Sequence, residues 1–420
     1  MRIAYLAQSY PPMVSGAAIV AEKLASEMAE RGHQVLVLAA SDKDQPYITL
    51  QENLTVLRLR STYNPLRVGQ RFLLFPRRAV LQALEEFQPD FIHSHEPLQM
   101  GWLGLTYARR TRIPITLTVH QLPGFVSSYL PKSVRPIVEK SLWTYASWLL
   151  RQFTTIITPT RSISTFIQQM TGLDVNVISC GLDLQTFHPP LSADDDLATR
   201  QKWNLPWPVP LILHVGRLDT EKHADRVILA AAQTLRQTDA HLVVVGDGRQ
   251  KKHLIQLCHD LGFEERVHFT GYVSVEQGLP ELYRMATVFV TASEIETQGI
   301  VLLEAAASGL PLVAVNATCI PEIVYDGANG YLTKSGDTHA MSRSLTNILR
   351  DPQLAACMGR VSRALAEGHP NQETFDEHER IYQKMITEKG SQKIPVSAKT
   401  YFHWKQLRDR SIWLLMDRFR

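Results

Sequence analysis

The chain has 420 residues, 45% apolar and 20% charged, with a formal net charge of +3. This length predicts two or three domains and this composition a soluble globular protein, and no stretch reaches the roughly 18 uncharged apolar residues of a spanning helix. The charge argues against a nucleic-acid surface on the body, because residues 399–420 hold six Lys/Arg against Asp409 and Asp417, a local +4, and the rest sums to −1.

From the N-terminus, "MRIAYLAQSYPP" has too short an apolar run for a signal peptide. Apolar β-branched runs then alternate with helical patterns, and strands are expected at 2–8, 34–40, 54–60, 91–95, 115–120, 154–160 and 175–180. Between the first two, "AAIVAEKLASEMAERGH" puts Val20, Leu24 and Met28 on one face and stops at Gly32, an amphipathic helix. Continuous apolar strands separated by helices predict a parallel sheet covered on both faces. After a polar, proline-rich break at 188–210 the pattern restarts, with strands at 210–216, 241–248, 266–273, 287–293 and 311–317. The economical fold is α/β: two doubly wound Rossmann-like domains, 1–187 and 188–371, facing a cleft. Ligands of such sheets bind beyond the carboxyl ends of the strands. The four cysteines (Cys180, Cys258, Cys319, Cys357) form no CxxC pair, so neither disulfides nor a zinc knuckle is expected, and a cytoplasmic setting fits.

The chemistry-bearing stretches fall at expected strand ends. In "HVGRLDTEK" (214–222), Arg217 and Lys222 sit near a helix start, and two cations with a helix N-terminus suit a diphosphate. Taken alone, the stretch equally suits a solvated turn with an ordinary ion pair. In "YPPMVSGAAI" (10–19), Gly16 opens a helix and allows close approach by an anion, or merely a tight turn. No GxGxxG follows either first strand and no GxxxxGK[ST] occurs, which disfavours a dinucleotide dehydrogenase or a P-loop nucleotidase. In "EIETQGIVLLE" (294–304), Glu296 and Glu304 lie eight positions apart around Gly299. The amides near Gly299, Ile300 and Val301 can point at a phosphate, Glu296 can accept sugar hydroxyls, and Glu304 can take two ribose hydroxyls.

Together and in this order, "GRLDTEK", "VVVGDG", "RVHFTGYV" and "EIETQGIVLLEAAASGLPLVA" resemble the family-4 retaining glycosyltransferases of the GT-B fold, over roughly residues 1–388. The acid pair matches that family's E-x7-E motif. The resemblance implies that Arg217 and Lys222 bind the donor diphosphate, Glu296 the transferred sugar and Glu304 the ribose. It also implies that Gly16 and Gly216 line the donor site, that Val273 lies near the base, and that His120 lies near the reacting carbon. Alone, His120 reads as a core histidine. A helix at 372–388 is implied to pack back on the first domain. Two departures concern Ser15-Gly16, where the family often has two glycines, and Cys180-Gly181, where it has Asn-Gly; the second bears on interdomain packing. The implied reaction moves a hexose, from UDP-glucose or UDP-galactose, with retention. No DxD motif is suitably placed, so no metal is expected.

The "ETQG" form of the loop is similar to that of bacterial enzymes that glycosylate diacylglycerol and related lipids. A lipid acceptor on an anionic membrane, reached peripherally from the cytoplasmic side, is therefore expected. The basic segment at 65–80 carries Arg67, Arg71, Arg77 and Arg78 without an acid. At 131–153, a stripe of Val134, Val138, Leu142, Tyr145, Leu149 and Phe153 is expected to face the core, leaving Trp143 and Leu150 on another face. Beyond a linker from 389, Tyr401, Trp404, Ile412, Leu415 and Phe419 form a stripe interrupted by Arg408 and widened by Trp413, as in an interfacial helix. Each of these segments would equally pack on protein. A polysaccharide or small-molecule transferase, a nucleotide-sugar epimerase and a donor-binding regulator are the rival functions.

Overall fold

The computed structural model describes residues 1–389 except 14, 65–69, 122–132 and 191–192. Two sheets organise the chain. The first contains β1 (Arg2–Leu6), β2 (Gln34–Ala40), β3 (Tyr47–Leu50) and β4 (Leu54–Leu59). A separate hairpin of β5 (Ser61–Tyr63) and β6 (Arg71–Leu73) intervenes before β7 (Phe91–Ser94), β8 (Ile115–Thr118), β9 (Thr155–Thr158) and β10 (Asn176–Val177). The eight strands lie in the order β10-β9-β8-β7-β1-β2-β4-β3, parallel apart from the β3–β4 pair. The second sheet contains β11 (Leu211–Val215), β12 (His241–Val245), β13 (Val267–Gly271), β14 (Val288–Val290), β15 (Leu312–Val315) and β16 (Gly330–Thr333). Its order is β13-β12-β11-β14-β15-β16, all parallel.

The first domain's helices are α1 (Gly16–Glu30), α2 (Arg77–Phe87), α3 (Gln99–Thr111), α4 (Arg135–Leu150) and α5 (Arg161–Thr171). Then come α6 (Ala193–Lys202), α7 (Ala224–Leu235), α8 (Lys251–Leu261), α9 (Leu279–Arg284), α10 (Ile300–Ala307), α11 (Thr338–Arg350), α12 (Pro352–Ala366) and α13 (Asn371–Lys389). In α1 the Ser15 side chain accepts the Ala18 N–H at 3.1 Å, and Val20, Leu24 and Met28 are buried, as the helical spacing predicts.

The strand candidates all form, although the run at 175–180 yields only the two residues of β10. The edge strand β3, the hairpin and β16 were not anticipated, being short or broken by polar residues. The proline-rich break also contains α6, where the buried Arg200 donates to the carbonyls of Pro206 and Val209, both at 2.8 Å.

The first sheet carries a core on each face. One includes Leu6, Leu38, Leu84, Leu117 and Ile156, the other Ile3, Tyr5, Leu24, Val37 and Phe91. The second core is closed by α13, whose Phe375 and Tyr382 are buried in it, with the Tyr382 and Tyr5 hydroxyls 3.2 Å apart. Burying such a side chain contributes about 1.5–3 kcal/mol, which holds the chain's last described helix on its first domain.

Candidate active site

In the second sheet the strand order reverses between β11 and β14, and the loops leaving those neighbouring strands carry the Arg217–Lys222 and Glu294–Gly299 stretches. This is the crevice where doubly wound sheets bind ligands. Gly246 adopts φ +141°, and a Cβ there would lie 1.9 Å from the Gly216 carbonyl. Only glycine lets the loop after β12 press on the one after β11.

The Arg217 guanidinium donates to the carboxylates of Asp219 and Glu221, and the Lys222 ammonium donates to that of Glu296. The sugar acid and the phosphate lysine expected from sequence thus touch each other. Lys222 Nζ also lies 3.4 Å from Ser293 Oγ. The Glu296 N–H donates to Thr318 Oγ1 at 3.3 Å, and Thr318 holds φ +46°, a conformation rare for a β-branched residue. Gly299, at φ +77°, is the N-cap of α10, and no side chain among the described residues caps its first-turn amides. A Cβ on Gly16 would meet Ile300 Cδ1 at 3.4 Å, so the first-domain loop abuts the start of α10. Glu304 accepts the Tyr283 hydroxyl at 2.8 Å. Burial pushes its carboxyl up to about 7, against the lowering effect of the Tyr283 hydrogen bond and of Lys23. Val273, just past β13, is buried in the domain core.

On the first-domain side, His120 follows β8 and its Nε2 lies 2.9 Å from His95 Nδ1. Burial, reinforced by His378, pushes the His120 imidazole down to about 4. His95 stacks on His93, ring centroids 4.3 Å apart, and His93 bonds Tyr382 Oη at 2.6 Å and Thr118 Oγ1 at 2.7 Å. Sequence reading missed His93 and His95, although the spacing "HSH" at a strand end puts both rings on one face.

It also missed the clasp between the domains. Thr297 Oγ1 donates to the His120 carbonyl at 3.2 Å, and Thr160 Oγ1 to the Thr297 carbonyl at 2.8 Å. The buried Gln298 accepts the Cys180 N–H at 2.8 Å and donates to Ser179 Oγ at 2.6 Å. The Glu322 carboxylate accepts the Arg161 and Ser162 N–H groups at 3.1 and 2.5 Å, capping α5 from the opposite domain. The loop that holds Glu296 is therefore also the loop that joins the domains.

Several expected membrane residues are placed differently. Trp143 is only 8% exposed, in an edge-on contact with Phe166, and Leu150 is buried too. Of the stripe expected in the core, Val134 and Tyr145 are exposed while Leu149 and Phe153 are buried. The helix is rotated relative to the expected stripe because α5 supplies an apolar neighbour for Trp143. Arg71 is not free for lipid: it donates to the Asp44 carboxylate and to Ser61 Oγ, the latter at 2.7 Å. Arg77 and Arg78 are exposed on the first turn of α2, paired with no acid among the described residues. Arg67, Trp404, Arg408 and Trp413 lie outside the described residues.

Two doubly wound domains clasped across a cleft, with Arg217, Lys222 and the acid pair at the switch point, define a GT-B glycosyltransferase. The description "Glycosyl transferases group 1" matches residues 195–364 and "Glycosyltransferase Family 4" residues 14–186. The chain belongs to this glycosyltransferase family and is a hexosyltransferase. A GDP-mannose-dependent alpha-mannosyltransferase of Mycobacterium tuberculosis is 31% identical over 370 residues, 86% of this chain and 92% of that protein. An alpha-monoglucosyldiacylglycerol synthase of Streptococcus pneumoniae is 28% identical over 337 residues, 79% and 75% of the two chains. The solved structure of a sucrose-phosphate synthase from Thermosynechococcus elongatus shares the fold, with a TM-score of 0.78 at 22% identity over 92% of this chain and all of that one.

Proposed function

We propose that this enzyme transfers a hexose, glucose or galactose, from a UDP donor to a membrane lipid such as diacylglycerol or a glycolipid, with retention at the anomeric carbon. The observation that carries the reading is the Lys222–Glu296 contact at adjacent strand ends, beside the uncapped start of α10. A nucleotide sugar laid there would put its diphosphate on Arg217, Lys222 and the amides of Gly299, Ile300 and Val301. Its sugar would meet Glu296 and His120, and its ribose Glu304. Asp219, Glu221 and Glu296 hold the two cations in place before the donor arrives, so little reorganisation accompanies build-up of charge on the departing diphosphate. Two fixed cations and a helix N-terminus suffice for that charge, and the reading requires no metal.

The likeness to a glucosyldiacylglycerol synthase supports the lipid acceptor, and so does the surface of the first domain. Leu98, Ile137 (73% exposed), Tyr145 and Trp148 (46%) project from α4 and the start of α3. Trp102 and Trp148 rings lie 5.2 Å apart, and the Trp102 indole N–H donates to the Tyr145 hydroxyl. Beside the hairpin, Tyr63, Phe72 and Phe75 (95% exposed) precede the exposed Arg77 and Arg78. Aromatic side chains next to arginines that pair with no acid among the described residues suit the interface of an anionic leaflet. No helix among the described residues is long and apolar enough to cross a membrane, so the proposed attachment is peripheral.

The test incubates the full chain with radiolabelled UDP-glucose, UDP-galactose or GDP-mannose and vesicles containing diacylglycerol. Label in an extracted α-glycolipid is expected with one of the UDP donors. Isomerised donor without transfer would identify an epimerase, and a water-soluble product would remove the lipid acceptor. The mannosyltransferase likeness favours GDP-mannose as the donor to try should both UDP sugars fail.

A further inference from the structure

The His95–His120 pair poses a question of proton placement. The rings are 13° from coplanar with centroids 5.2 Å apart, the separation expected when an in-plane hydrogen bond, and not face-to-face overlap, joins two imidazoles. Around them stand Tyr5, His93, Thr118, His378 and Tyr382. No carboxylate bonds any of the four histidines among the described residues. His93 bonds a tyrosine and a threonine hydroxyl, and His378 Nδ1 lies 2.8 Å from the Thr374 carbonyl. With His95 buried, His120 half-buried and no carboxylate bonded to either, an imidazolium here would lack a counter-ion, so both rings of the pair are neutral and one proton lies between them.

Two arrangements remain. If His120 Nε2 carried the proton, His95 would accept on Nδ1 and its own proton would sit on Nε2. That nitrogen is buried and has no hydrogen-bond partner among the described residues. A buried N–H left without an acceptor loses its hydration with nothing in return. If instead His95 Nδ1 carries the proton, the orphan at Nε2 is only a lone pair, the lesser fault. His120 then accepts on Nε2 and carries its own proton on Nδ1, which has no protein partner among the described residues.

We propose that His95 is a positioning residue that fixes His120 as the neutral Nδ1–H tautomer, so that His120 meets an oxygen of the sugar or acceptor as a hydrogen-bond donor and not as a base. The inference deepens the transferase reading and rests on it for the identity of that oxygen. The backbone of His120 is held from the other side by Thr297, from the Glu296 loop. Ring and main chain are thus anchored by different domains.

The test starts with the full chain labelled with 15N-histidine and free of ligand, in which long-range 1H–15N correlations report which ring nitrogen is protonated. His120 signals are identified by their loss in His120→Ala. Protonation of Nδ1 on both His95 and His120 is expected; an Nε2-protonated His120 in the parent chain overturns the proposal. In His95→Phe the tautomer should become mixed and kcat fall about tenfold, the worth of one hydrogen bond, with KM for UDP-glucose and the melting temperature near the parent's. In His95→Asn, whose amide can still donate from the Nδ1 position, most of kcat should return. Parent-like kcat in a folded His95→Phe also overturns it. Should the chain transfer no hexose at all, the labelled spectrum still decides the tautomer, so the two readings fail separately.

Discussion

The two rims of the cleft reach rigidity by opposite electrostatics. On the second-domain rim, Arg217 and Lys222 are full charges, each held by carboxylates of the same domain. On the first-domain rim, the half-buried His120 ends a buried chain of neutral rings and hydroxyls, with His95, His93, Thr118, Tyr382 and Tyr5. A charged rim suits a group that leaves as an anion, because preset cations stabilise the developing charge without moving. A neutral rim suits the uncharged sugar and acceptor hydroxyl of the proposed reaction. The rims meet at Thr297 and Gln298, with Glu322 capping α5 beside them, so the Glu296 loop is one of the segments that join the two kinds of rim.

The comparison breaks most severely at Glu296, which holds Lys222 and which the proposed reading also gives to the sugar. Glu296→Ala should lower kcat by roughly 10²–10³, the loss typical of one transition-state contact, with the fold intact by circular dichroism. Parent-like turnover would take the sugar off this residue. Next is Lys222→Ala, which should weaken UDP binding about 10- to 100-fold, the value of a charge-assisted bond. The parent's affinity should fall with salt more steeply than the variant's in calorimetric titrations.

A smaller effect probes an acid of the second-domain rim whose titration falls near neutrality. The Glu304 carboxyl, pushed up to about 7 by burial, is protonated below that pH and ionised above it. An ionised carboxylate accepts both ribose hydroxyls, whereas its protonated form carries a competing donor. UDP-glucose affinity should therefore rise as pH increases through 7, by about tenfold between roughly pH 6 and 8, and Glu304→Gln should flatten that rise. The sign is opposite to that of a titrating cation in the clamp, which would weaken binding as pH rose. The smallest effect concerns the outer face of the neutral domain. Ile137→Glu with Trp148→Glu should reduce sedimentation with anionic vesicles roughly fivefold and leave UDP affinity unchanged. Unaltered sedimentation would move the membrane contact elsewhere, for example to the basic segment at 399–420, which a chain ending at Gly390 would test.

Much of this was legible in one dimension. The continuous apolar strands reflect burial on both faces and the Val20, Leu24, Met28 spacing the 3.6 period of a helix, both imposed locally, and the parallel sheets followed from them. Motifs at strand ends could be placed at the cleft because the topology puts every carboxyl end on the same side. The resemblance added the roles of Glu296 and Glu304. The face of α4 was misread because its apolar residues run almost all round the helix, so periodicity could not say which side faces α5; the position of Phe166 decided that Trp143 is buried and Trp148 exposed. Arg71 looked free because its acid, Asp44, lies 27 positions away.

By itself the sequence determined what short-range physics determines: where strands and helices fall, the two-sheet architecture, and which residue types stand at the strand ends. Only the tertiary structure decided which of those residues touch. Lys222 meets Glu296 across 74 positions, His95 meets His120 across 25, and Gln298 reaches Cys180 across 118. Such contacts leave no periodic trace, because each is a single meeting of polar groups set by how the sheets and the returning helix pack, and each offsets the cost of burying the groups that make it.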